Sequence, residues 1–245
     1  MTIALRQICL VARELKPAIN DLTGVFGINS CFIDPAVASF GLENTLLAVG
    51  SNFLEVVAPV EDNTAADRYL DRRQGDGGYM VICQADSKDT QQQLKARAKT
   101  QGVRVAFEAE RETWNICQLH PGDMQAAFFE VDWDQNNDIS GNWHPAGGMG
   151  WQHKVRQDVT VAFQGIELQG PDPLALATRW SEVADIPLMT SDGNLSLALD
   201  NAQLRFVEAQ DGRGPGLGGI DLAVADLDRV LHEAEKRGCR VNDNR

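Results

Sequence analysis

The sequence predicts an α+β fold of repeated βαβββ modules. These pair into half-open, curved, mixed-sheet barrels with helices outside, and the fourth module is truncated. Three observations carry this. A strand–helix–strand–strand–strand order occurs twice within residues 1–133. Glu55 and Glu130 stand in the fourth strand of each copy, 75 residues apart, and Gln7 and Tyr79 stand in the first strand, 72 apart. A third copy and the beginning of a fourth then follow, and an internal repeat of this kind outweighs any short motif.

The first module spans 5–60. LRQICLVA (5–12) is apolar and short enough for a buried strand. ELKPAINDLTGVFGI reads as a helix, with Pro17 near its start and Gly27 near its end. CFID (31–34), NTLLAVG (44–50) and NFLEVVAPV (52–60) read as strands, the last two joined at Gly50-Ser51-Asn52. The polar stretch 61–78 reads as a connection.

The second module spans 78–133. GYMVICQAD is its strand, and SKDTQQQLKARAKTQG its helix, with Ser87 or Asp89 to cap it and Gly102 to end it. VRVAFEAE, TWNICQLH and QAAFFEVDW follow as strands, with HPGDM (120–124) as the loop between the last two. Residues 134–157 are rich in Gly, Asn and Trp without periodicity, which reads as a linker packing on the surface through its tryptophans.

The second, degenerate half spans 158–245, with modules at 158–210 and 216–245. VAFQGIELQG, the helix DPLALATRWSEVAD and the strands IPLMT, NLSLALD and AQLRFVEA form the third module. GLGGIDLAVAD and the helix LDRVLHEAEKRG begin the fourth, with at most one short strand over CRVNDN.

Composition narrows the function. The 245 residues are 43% hydrophobic, enough for a real core. The net charge of −13 repels phosphate backbones and anionic bilayers, so neither nucleic acid nor membrane is the expected partner. The first residues, MTIALRQICLVAREL, lack a basic start followed by a long apolar stretch, so no signal peptide is expected. Five cysteines without CxxC spacing suggest neither a disulfide framework nor a zinc site, and a cytoplasmic setting is expected. Cys9, Cys83 and Cys117 lie in apolar strands, where free cysteine acts as a small hydrophobe.

Alternation along a strand puts Phe53, Glu55 and Val57 on one face, and Phe128, Glu130 and Asp132 on one face. Two readings stay open. Either these faces are wet and the glutamates meet water, or they line one concave hollow in which two carboxylates converge. A carboxylate held among apolar residues needs a cation, a donor or a proton. Gln7 adds an amide oxygen, and an oxygen-rich set suits hard divalent ions.

At QICLVAREL, YMVICQADS, GGIDLAVADLD and LHPGDMQAAFFEV the chain resembles the vicinal-oxygen-chelate superfamily of glyoxalase, bleomycin-resistance and dioxygenase-like proteins. That superfamily places metal ligands on the first and fourth strands of paired modules. The resemblance implies Gln7, Glu55 and Glu130 as ligands of Mn, Mg, Ni or Zn, and Glu55 and Glu130 as catalytic carboxylates. Tyr79 falls where histidine is usual. A neutral phenol, with a pKa of about 10, is a poor ligand, so Tyr79 is expected to bind substrate, as are Trp114 and Phe128.

The activity implied is a metal-dependent lyase or isomerase working on a small oxygenated substrate through an enediolate-type intermediate. The alternative is a non-catalytic protein that sequesters a small molecule, with both glutamates as counter-charges. An extradiol dioxygenase needs two histidines and a carboxylate, and no first strand carries histidine. Barrels can close within one chain or between two copies in a homodimer.

Other residues read as structural. His120 precedes Pro121 in a turn, His144 and His153 lie in the linker, and His232 faces solvent on a helix. Arg72 and Arg73 read as solvated salt-bridge partners, with contact to an anionic substrate as the alternative. For Trp114 and Phe128 core packing competes with a pocket role. Glycines 212–219 precede a strand, whereas a phosphate cradle needs a helix N-terminus. Gly165, Arg205 and Gly219 stand at the ligand positions of the second half, which implies a structural or lid role for it, or a share in a pocket between the halves.

Overall fold

The computed structural model describes residues 2–242. The first module consists of β1 (Ile3–Val11), α1 (Leu15–Phe26), β2 (Asn29–Phe32), β3 (Leu42–Val49) and β4 (Asn52–Pro59). Between the first two modules lies α2 (Ala65–Arg73). The second module comprises β5 (Gly77–Ala85), α3 (Lys88–Thr100), β6 (Val105–Glu110), β7 (Trp114–Leu119), α4 (Pro121–Met124) and β8 (Phe128–Asp134). The second half holds β9 (Thr160–Gly170), α5 (Pro173–Ala184), β10 (Met189–Ser191), β11 (Asn194–Ala198), β12 (Gln203–Glu208), β13 (Gly216–Val224) and α6 (Leu227–Lys236).

The helix ends follow local chemistry. Gly27 takes a left-handed conformation (φ 64°) and its N–H closes α1 on the Thr23 carbonyl. The Ser87 hydroxyl accepts from the Thr90 N–H at the start of α3, as the sequence implied. Residues 239–242, where a further strand was conceivable, form none, and 243–244 lie outside the described residues.

The modules pair through their first strands. One sheet runs β2-β3-β4-β1-β5-β8-β7-β6, with β1 antiparallel to β5 at its centre, β1 parallel to β4 and β5 parallel to β8. The other runs β10-β11-β12-β9-β13, and β13 meets β9 as β5 meets β1. Among the described residues the fourth module supplies one strand and α6.

Two apolar clusters result. Ile8, Leu54, Val81 and Phe129, on one face of the large sheet, share a core with Ile166, Leu204 and Trp180 of the second half. The opposite, concave face gathers Cys9, Val57, Tyr79 and Ile82 with Tyr69 and Leu70 of α2 and Trp143 and Trp151. At the seam between the halves a Cβ on Gly78 would stand 2.5 Å from that of Leu217, so β5 and β13 approach only because residue 78 has no side chain.

Four sequence readings need correction. The stretch 61–78 is not a plain connection, because it holds α2. Thr64 caps that helix by accepting from the Asp67 N–H, and Ala66, Tyr69, Leu70 and Arg73 form its buried stripe. HPGDM is a single helical turn, started by His120, whose ring accepts from the Gly122 N–H. The tryptophans of 134–157 do not lie on the surface, since Trp143 and Trp151 are both only 2% exposed. They insert under the concave face, and Trp151 meets Phe53 edge-on at 4.9 Å.

Arg73 is likewise no solvated partner. It is buried and its Nη1 donates to the carbonyls of Arg213, Gly214 and Pro215.

Candidate functional site

The curved large sheet encloses a cavity of ≈ 550 Å³ on its concave side. Gln7, Glu55, Tyr79, Trp114, Phe128 and Glu130 all line it, so the structure brings every candidate site residue to one place. Glu55 and Glu130 are nearly buried, which removes the reading of two wet sheet faces. All of the described lining comes from the first half and the segment after it, and no described residue of the second half lines this cavity.

The register explains the convergence. Glu55 stands beside Cys9 across the β1–β4 ladder, and Glu130 beside Ile82 across the β5–β8 ladder. The antiparallel β1–β5 pair relates the two ladders, so both glutamates face the same hollow. The same register shifts the equivalence read from the sequence. Phe53 pairs with Gln7 and Phe128 with Met80, so the counterpart of Gln7 is Met80 and not Tyr79. The β1–β5 pairing carries one β-bulge in each strand: Arg6 is skipped between Leu5 and Gln7, and Tyr79 between Met80 and Gly78. The two bulged residues occupy equivalent places, so the counterpart of Tyr79 is Arg6.

Both bulged residues are put to use. Arg6 is fully buried, with its guanidinium 5.4 Å from the Trp143 ring centre and 5.8 Å from that of Phe53. It donates to the carbonyls of Asp138 and Gly141, pinning the segment after β8 under the cavity. Burial lowers its pKa to about 10, against the opposing pull of Asp138 and Asp134. The Tyr79 ring stands edge-on to Phe128 and to Tyr69, each with 5.0 Å between centres.

Each glutamate is held by amides. Glu55 accepts from Gln7 Nε2 at 2.8 Å and Asn44 Nδ2 at 2.5 Å. Glu130 accepts from Gln118 Nε2 at 2.6 Å, and Asp132 lies two residues on along the same face. Burial raises the pKa of Glu55, opposed by its hydrogen bonds. Burial likewise pushes Glu130 up to about 7, opposed by Gln118 and Asp132 and aided by the charge of Glu55. Asp132 is fully buried and raised as well, by burial first and the neighbouring Glu130 second.

Asp132, Asn44 and Gln118 are functional candidates that motif reasoning did not single out. Period-two spacing from Glu130 already placed Asp132 on its face; the two amides had no signal.

The implied metal does not fit these side chains. Register gives the four positions as Gln7, Glu55, Met80 and Glu130, and a neutral thioether is a poor partner for Mg²⁺ or Mn²⁺. Three amide N–H donors already occupy the two carboxyls. Among the described residues no three His, Cys, Asp or Glu side chains converge at ligand spacing.

In the second half Arg205 occupies the comparable hollow, and its guanidinium reaches Glu167 at 2.8 Å and Asp221 at 2.7 Å. A fixed cation thus satisfies that half's carboxylates. Elsewhere, His144 Nδ1 lies 2.6 Å from Asp134, His153 and His232 are exposed, and His120 lies at the cavity rim. All five cysteines are free. No helix among the described residues is long and apolar enough to cross a membrane.

Comparison with known proteins agrees with this architecture. Over 97% of this chain and 75% of the other, the structure superposes on a mutant 4-hydroxymandelate synthase from Streptomyces coelicolor, with a TM-score of 0.71 at 13% identity. Methylmalonyl-CoA epimerase from Mycobacterium tuberculosis matches over 53% of this chain and 87% of its own, with a TM-score of 0.45 at 21% identity. The first likeness establishes the fold. No curated protein sequence matches. A family model described as a glyoxalase-like domain matches residues 8–184, well over half of the chain. The chain belongs to the glyoxalase-like domain family.

Proposed function

We propose that the concave cavity binds the oxygenated end of a small organic molecule and that Glu130 moves a proton there, in a lyase or isomerase reaction. The observation that carries this reading is the pair of buried carboxyls, one from each module, on the lining of a single cavity. An acid whose proton is exchanged near neutrality suits both halves of a proton-transfer cycle. Glu130 takes a proton from a carbon next to a carbonyl, leaving the electron pair delocalised onto the carbonyl oxygen, and then returns it. Gln118 holds the Glu130 carboxyl in place. Gln7 Oε1 is buried without a partner and is free to accept from a substrate hydroxyl. Trp114, Phe128 and Tyr79 supply the apolar wall, and free cysteines suit a reducing, cytoplasmic setting.

Sequestration without chemistry is the second reading, favoured by the aromatic lining. One experiment separates them. Candidate α-oxygenated carbonyl compounds are first screened for thermal stabilisation of the protein. Those that bind are then followed by NMR in D₂O for exchange of the carbon-bound proton. The proposal expects exchange by the wild-type chain and its loss in Glu130→Gln with binding retained. Binding without exchange favours sequestration. Stabilisation only by Mn²⁺, Ni²⁺ or Zn²⁺, at about one ion per chain, overturns the metal-free reading.

A further inference from the structure

A second cavity, of ≈ 420 Å³, adjoins the first. One face of α2 lines it at helical spacing: Ala65, Arg68, Tyr69, Arg72 and Arg73. Three arginines thus line one cavity in a chain of net charge −13, and among the described residues no carboxylate lines it. The acidic residues of the same helix are engaged elsewhere, since Asp67 and Asp71 both pair with Arg13.

The three arginines differ in what they have left to offer. Arg73 is spent on the carbonyls of 213–215. Arg68 donates to the Asn63 carbonyl. Arg72 lies 5.3 Å from the Tyr69 ring centre. Among the described residues neither Arg68 nor Arg72 forms an ion pair with a carboxylate. Like charges at i and i+4 repel on a helix, so this pair weakens α2 unless a negative charge lies between them. Across the cavity, His120 Nδ1 accepts from the Gly122 N–H, which leaves Nε2–H as a further donor.

Four residues line both cavities: Ala65, Tyr79, His120 and Phe128. The rings of Tyr79 and Phe128, in edge-on contact, form part of the wall the two cavities share. The geometry points to an anion-binding antechamber: the ligand is an amphipathic anion whose carboxylate or phosphate is gripped by Arg68 and Arg72, and whose apolar body passes Tyr79 and Phe128 toward Glu130. Guanidinium forks match either oxyanion, and the antechamber supplies charge while the inner cavity supplies apolar surface. This assignment rests on the inner cavity being a small-molecule site.

The test uses the full chain and three matched probes: 2-naphthoate, 2-naphthyl phosphate and the neutral 2-naphthalenemethanol. Calorimetry at about 50 and 300 mM NaCl brackets the range over which exposed charges become screened. At low salt one anion or both should bind at least about tenfold tighter than the alcohol, as charge-assisted bonds outmatch neutral ones. Salt should narrow the gap, and the double variant Arg68→Gln/Arg72→Gln should close it without weakening the alcohol. The two anions separate a carboxylate site from a phosphate site. Phe128→Ala should weaken all three probes.

Equal binding of alcohol and anions, unchanged in the double variant, overturns the antechamber and leaves the inner cavity standing. Anion binding indifferent to Phe128→Ala overturns the link between the two cavities. Failure of all three probes to bind overturns the antechamber together with the cavity reading.

Discussion

Glu130 shows how a single side chain couples the site to the stability of the fold. In the unfolded chain it titrates at the ordinary glutamate value of 4.5; in the folded protein burial holds its proton to about 7. Between those pH values the folded state binds more protons than the unfolded one, so this group's contribution to stability falls as pH rises through that window. Below the window both states are protonated, and above it both are ionised. Glu130→Gln removes the titration and keeps the shape, so the variant should gain on the wild type from pH 4.5 to 7, by on the order of 3 kcal/mol. Asp132, raised by burial and by the neighbouring Glu130, titrates with it, so the difference reports the pair. Urea midpoints at several pH values measure it, and parallel pH slopes in the two proteins would refute the assignment.

At the scale of elements, α2 and the bulges of β1 and β5 decide the site, and both were poorly legible in the sequence. The stretch 61–78 looks like a connection because it is charged. Its buried stripe includes an arginine, which no hydrophobic pattern recognises. Arg73 can be buried there because three carbonyls of the chain at 213–215 receive it. The bulge at Tyr79 was equally hidden, since a skipped residue leaves no mark on strand propensity. The strands, helices and glutamates, by contrast, were legible, because period two and capping chemistry are local.

Arg73→Ala should therefore cost about 2–3 kcal/mol, for hydrogen bonds to a charged donor and the orphaned carbonyls. It should also raise hydrogen exchange selectively at 213–217 and in α2. Uniform protection in the variant would show that α2 is held by its apolar contacts alone.

Over the whole molecule, the repeat made the architecture readable, while the division of labour between halves had to come from packing. No described residue of the second half lines the inner cavity, and that half is nonetheless part of the same core. Trp180 on α5 is fully buried, its ring centre 4.7 Å from that of Phe129 on β8 and 6.5 Å from that of Phe206 on β12. Its indole N–H donates to the Met124 carbonyl at 2.9 Å. One side chain thus bridges both sheets, immediately behind the strand that carries Glu130. A shared core predicts cooperative unfolding of the two halves, with tryptophan fluorescence and far-ultraviolet circular dichroism changing at the same denaturant concentration.

Trp180→Ala removes the bridge, and truncation of a buried tryptophan costs about 3–5 kcal/mol. The loss falls on contacts between halves, so the variant should unfold in two steps, the second half first. A single transition shifted to lower denaturant would instead mean that the remaining contacts, Leu217 against Gly78 among them, suffice to keep the halves one cooperative unit.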